Sequence, residues 1–97
     1  GYVFGLFSLF LDDNFTVKSN RKSGYGRFDL MIKGKNNGEN IGVIMEFKVA
    51  EKDMEKEALE ALNQIEKKKY YQYLVSDGIK TIYKYGVVVK EKSCIIR

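Results

Sequence analysis

Glu46 and Lys48 stand two residues apart inside the most apolar stretch of the chain, Ile-Gly-Val-Ile-Met-Glu-Phe-Lys-Val at 41–49. In an extended strand that spacing turns both charges to one face and Met45, Phe47 and Val49 to the other. Two full charges on a mostly buried strand are costly unless they are paired or hold something. One reading is an ion pair between Glu46 and Lys48; the other is a site. Asp29 bears on the choice. If Lys35–Asn40 is a hairpin loop, Gly34 faces Ile41, Ile32 faces Val43, and the same register sets Asp29 opposite Glu46. Two carboxylates opposed across a sheet repel unless something positive lies between them. Lys48 supplies part of that charge. A divalent cation held by oxygen ligands would supply the rest, and Mg²⁺ commonly takes one or two carboxylates together with water and phosphate.

Composition narrows the chemistry further. The 97 residues include no His, no Pro and a single cysteine, Cys94. Without His there is no Ser-His-Asp hydrolysis, no Cys-His chemistry and no His-ligated zinc. One cysteine excludes an internal disulfide framework and a thiolate metal cage, which suits a reducing, cytoplasmic setting. Chemistry must then run on carboxylates, Lys, Tyr or a hard, oxygen-ligated metal. Lys+Arg 17 against Asp+Glu 13 leaves a net charge of +4, a mild basicity that permits nucleic acid as a partner without requiring it.

The length suits one small domain, and the elements that must position these residues follow from the hydrophobic pattern. Gly1–Asp12 reads as the end of an apolar helix, its apolar run Tyr2–Leu11 too short to span a membrane and with no basic region before it. The chain opens on Gly1 rather than Met, so a longer parent chain is expected, and the apolar run is expected to seek a partner, a second copy included. Phe15–Asn20 alternates as a short strand. A Gly-containing turn at Lys22–Gly26 leads to a second strand, Arg27–Lys33, with Phe28, Leu30 and Ile32 on one face. Ile41–Val49 is apolar on both faces in its first half, the mark of a central strand. Over Ala50–Leu74 the period changes, with Met54, Ala58, Ala61, Leu62 and Ile65 forming the apolar stripe of one long helix. Asp77-Gly78 closes it, Gly78 as a left-handed cap. Ile79–Val89 and Ser93–Arg97 are two further strands about the turn Lys90-Glu91-Lys92. The order predicts an α/β fold, helix then a three-strand meander, helix and strand, with a mixed sheet.

Asp29 followed by Glu46-Phe47-Lys48, on the second and third strands before a helix, resembles the PD-(D/E)XK nuclease superfamily. Ser19-Asn20-Arg21-Lys22-Ser23-Gly24-Tyr25-Gly26-Arg27-Phe28-Asp29, Ile44-Met45-Glu46-Phe47-Lys48, Ala61-Leu62-Asn63-Gln64-Ile65 and Gly78-Ile79-Lys80 resemble one branch of it. That branch is the nuclease-like domain found at the C-terminal end of proteins carrying an AAA-ATPase-like domain. The resemblance implies a restriction-endonuclease-like α-β-β-β-α-β core and a metal-dependent phosphodiesterase acting on nucleic acid, DNA in the first instance. It implies that Asp29 and Glu46 ligate Mg²⁺ or Mn²⁺, with the Phe47 carbonyl as a further ligand, and that Lys48 orients the attacking water. Gln64 resembles the helix glutamine that approaches the site, although from composition it is equally an ordinary polar position on a wet face.

The chain departs from the pattern in two places. Phe28 stands where the motif usually has Pro, and Tyr2–Leu11 carries no counterpart of the acidic residue the first helix often contributes. The second departure and the modest net charge support an alternative, a nuclease-fold module without catalysis that serves a larger ATPase as a nucleic-acid or protein interaction domain. Arg27 falls two residues before Asp29 on the same strand face, where it contacts phosphate or neutralises the carboxylates. The Ser23-Gly24-Tyr25-Gly26 turn lets backbone approach a phosphate, or is a plain turn into the strand. Tyr70, Tyr71 and Tyr73 after Lys67-Lys68-Lys69 read as helix-end packing with a solvated lysine run, with base stacking as the other possibility.

Overall fold

A computed structural model describes residues 15–21 and 27–97. The apolar run Tyr2–Leu11, with Ser23 and Tyr25 of the turn, lies outside the described residues. Three strands, β1 (Thr16–Arg21), β2 (Arg27–Asn36) and β3 (Glu39–Val49), form an antiparallel meander. Two helices, α1 (Met54–Ile65) and α2 (Lys69–Ser76), carry the chain back to β4 (Thr81–Lys90), which pairs parallel to β3. A final antiparallel strand, β5 (Ser93–Ile96), completes a five-stranded mixed sheet in the order β1-β2-β3-β4-β5. The parallel step needs a long crossover, and the helices supply it.

Alternation along β2 and β3 builds two apolar surfaces. Leu30, Ile32, Ile41, Val43 and Met45 form one cluster, with Phe47 and Tyr85 packed against it. Met31 and Ile44 turn the other way and pack with Ile65, Leu74 and Ile79 from the helical layer. From Ile41 to Glu46 every residue of β3 is buried, as a central strand demands.

The hairpin between β2 and β3 is tighter than the Lys35–Asn40 loop expected from composition. Only Asn37 and Gly38 turn, with φ of 53° and 80°, the paired positive values of a type I′ turn. Lys35 and Asn36 pair with Asn40 and Glu39, so polar residues continue the ladder where it projects into water.

The long helix expected over Ala50–Leu74 is two helices. Asp53 caps α1, its Oδ1 accepting from the amides of Glu55 at 3.1 Å and Lys56 at 3.3 Å. Ala58, Ala61 and Ile65 form the expected buried stripe. The helix then tightens, Lys67 N–H donating to Gln64 O and Lys68 N–H to Ile65 O, and Lys68 turns extended at φ −80°, ψ 149° before α2 starts. An uninterrupted helix would carry Leu74 roughly 14 Å along the axis beyond Ile65. The bend instead brings both into one cluster over Ile44. Gly78, at φ 80°, ends α2 as expected: its N–H donates to Val75 O and that of Ile79 to Leu74 O, a Schellman arrangement.

Two glycines set how closely this layer sits. A Cβ at Gly42 would lie 2.7 Å from Leu74 Cδ1, and one at Gly86 would lie 2.7 Å from the Ala58 carbonyl oxygen. Gly86 is the register partner of Glu46 on β4, so α1 comes nearest the sheet beside that carboxylate. Gly86 also exchanges both backbone hydrogen bonds with Arg97, carrying the β5 pairing to the end of the expected strand. Among the described residues no helix is long and apolar enough to cross a membrane.

Candidate active site

The register expected from the hairpin is the one observed: Asp29 stands opposite Glu46, as Ile32 does opposite Val43 and Gly34 opposite Ile41. All three candidate charges are on the helix-covered face and deeply buried, Asp29 at 4%, Glu46 at 0% and Lys48 at 6% exposure. Alternation explains how they share a face, since Met31 and Ile44, two residues along each strand, lie on it too.

The ion pairs of this site do not run along the strand from Glu46 to Lys48. Glu46 Oε1 lies 3.8 Å from the ammonium of Lys68, on the link between the helices. Lys48 Nζ lies 3.7 Å from Glu57 Oε2, in the first turns of α1. Glu46 and Lys48 thus each have a counter-charge delivered by the helical layer, which lowers the cost of their burial. Both separations exceed the roughly 2.8 Å of a closed charge-assisted hydrogen bond, so the pairs are loose. Neither Lys68 nor Glu57 was singled out from sequence. Lys68 sits in a run of three lysines that reads as a wet face, and Glu57 looks like one more solvated helix charge. The available signal was the buried strand charge itself, which requires partners from whatever packs above it.

A cavity of about 490 Å³ opens beside Asp29. Lys18 and Asn20 of β1 form one wall and Lys68, Lys69, Tyr70 and Tyr73 the other. The lysine-tyrosine segment therefore does two things. Tyr70 and Tyr71 pack half-buried against the Ile44 cluster, as expected of a helix end. Tyr73 is exposed, with the ammonium groups of Lys18 and Lys33 5.2 and 5.5 Å from its ring centroid. Burial first, and then the nearby Asp29 carboxylate, push the Tyr70 phenol above its ordinary pKa, so it stays a neutral hydroxyl at physiological pH.

The other candidates are distributed as follows. The Phe47 side chain packs on the opposite sheet face, and its backbone joins Glu46 to Lys48. Gln64 lies exposed in the last turn of α1. Arg27 opens β2, its backbone in register with Lys48.

Two carboxylates and a lysine at the meeting of two central strands are a hard donor set suited to Mg²⁺ or Mn²⁺ rather than to a thiophilic metal. Among the described residues no group of three or more acidic, His or Cys side chains converges, so any cation here would complete its shell with backbone oxygen, water or substrate. The mixed five-stranded sheet with its helical crossover matches the restriction-endonuclease-like core. Comparison with protein families agrees over residues 1–97, and the chain belongs to the PD-(D/E)XK nuclease superfamily. Searches of curated proteins and of solved structures find no match.

Proposed function

We propose that the chain is a Mg²⁺- or Mn²⁺-dependent nuclease domain that hydrolyses phosphodiester bonds in nucleic acid, DNA in the first instance. The observation that carries this reading is the register pairing of buried Asp29 with buried Glu46, with Lys48 on the same face. In this reading Asp29 and Glu46 hold the cation, with the Phe47 carbonyl as a further ligand. The bound cation supplies Lewis-acid polarisation of the phosphate and a water of lowered pKa. The Lys48 ammonium, fixed in a buried strand, donates to the attacking water and to charge growing on the phosphate oxygens. Lys18, Lys68 and Lys69 give the neighbouring cavity the positive charge a phosphate backbone needs, and Tyr73 offers a ring for stacking. Arg27, Ser23 and Tyr25 are assigned to phosphate contact and Gln64 to the rim of the site. The ordered motifs support membership in the branch attached to AAA-ATPase-like domains, with that domain as the natural partner.

Lys48→Ala tests the assignment. Because Lys48 acts on charge that develops in the transition state, turnover should fall by roughly 10²–10³-fold with nucleic-acid affinity little changed. Its counter-ion Glu57 is about one-third exposed and can rehydrate, so the melting temperature should fall only slightly. Unchanged turnover would sink the role.

One observation favours a second reading, a nuclease-fold module that binds without cutting: the Lys68 ammonium already balances Glu46. Nucleic-acid binding with no divalent-cation binding in solution would select it.

A further inference from the structure

Lys48 and Lys68 both bring positive charge to the paired carboxylates, but they are mounted differently. Lys48 is 6% exposed, sits within β3 and pairs with Glu57. Lys68 is 24% exposed, pairs with Glu46 across 3.8 Å, and stems from the extended residue between two helices. Its side chain also lines the cavity of about 490 Å³, which gives the ammonium somewhere to go. A divalent cation bound to Glu46 at about 2.1 Å would lie within roughly 6 Å of the ammonium where it now rests. Like charges that close in a poorly hydrated site repel strongly.

We propose that Lys68 is a displaceable counter-ion, which neutralises Glu46 while the site lacks a cation and must swing into the cavity for one to enter. This rests on the reading of Asp29 and Glu46 as metal ligands. Lys68 then sets the cation concentration at which the site fills. Lys48 is not placed to do this, because it is buried within β3 and does not line the cavity.

The test is calorimetric titration of Mn²⁺, without nucleic acid, into the full chain and into Lys68→Gln, Lys68→Arg and Glu46→Gln. Removing a facing positive charge should tighten Mn²⁺ binding about tenfold or more in Lys68→Gln, whereas Lys68→Arg keeps the charge and should stay within about threefold of the parent. Glu46→Gln should lose the binding. Equal affinity in the parent and Lys68→Gln, with binding still lost in Glu46→Gln, overturns the displacement and leaves the metal site standing. Absence of binding in every protein overturns both. The side-chain NMR signal of Lys68 in the parent gives the answer without a variant: it should shift as Mg²⁺ fills the site, and an unmoved signal in a Mg²⁺-loaded protein overturns the proposal.

Discussion

Met31 and Ile44 share a sheet face with Asp29 and Glu46, about 7 Å further along the same two strands. At the Met31–Ile44 end the helical layer answers with Ile65, Leu74 and Ile79, and the contact is closed and apolar. At the Asp29–Glu46 end it answers with the charges of Lys68 and Glu57, held at ion-pair rather than hydrogen-bond distance, beside an open cavity. The apolar end secures the strands; the charged end spends some of that stability to hold two carboxylates in a fixed relation. A small domain has little stability to spare, so the charged end is tolerable only because the apolar end is well packed.

This contrast can be broken from either side. The largest effect belongs to the charged end: Asp29→Asn should lower Mg²⁺-dependent cleavage on the order of 10³-fold or more, as expected when a metal ligand is removed. Its melting temperature should hold or rise, because carboxylate repulsion is relieved. A nuclease assay paired with a melting curve checks both. At the apolar end the pattern inverts. Ile44→Ala, at a fully buried position, should cost about 2–5 kcal/mol, measured by urea unfolding, while the folded fraction keeps the parental cleavage rate.

Gly86→Ala probes the seam between the two ends. The new methyl would press on the Ala58 backbone and lift α1, costing about 1–3 kcal/mol and drawing Glu57 away from Lys48, so stability and turnover should fall together. Asp53→Ala removes the α1 cap and should cost about 1 kcal/mol without touching the chemistry. The smallest effect is at the surface. Lys84 holds the Glu66 carboxyl below its usual range, so this pair stabilises the fold above the ordinary carboxylate pKa and stops doing so as pH falls through the depressed one. Lys84→Met should flatten the acid limb of a melting-temperature profile slightly, since Glu66 is exposed and Lys84 only half-buried.

What sequence could and could not reveal follows from range. The Asp29–Glu46 pairing was legible because Asn37-Gly38 fixes a register that period-two alternation then carries along both strands. The loop was overestimated because Lys35, Asn36, Glu39 and Asn40 are polar in a part of the ladder that faces water on both sides. The break at Lys68 was invisible because no Gly or Pro marks it. It arises from the need to seat Ile65 and Leu74 in one cluster, a tertiary demand that overrides local propensity. For the same reason Lys68 and Glu57 read as solvated charges, although the bend and the close approach at Gly86 aim them at the sheet.

The central claim is that Asp29 and Glu46 jointly hold a divalent cation. Crystals grown or soaked with Mn²⁺ and measured for anomalous scattering test it most directly. The expected result is a single strong peak bridging the two carboxylates, with the Lys68 ammonium withdrawn from Glu46. A map with no peak there at saturating Mn²⁺, and Lys68 still beside Glu46, would contradict it.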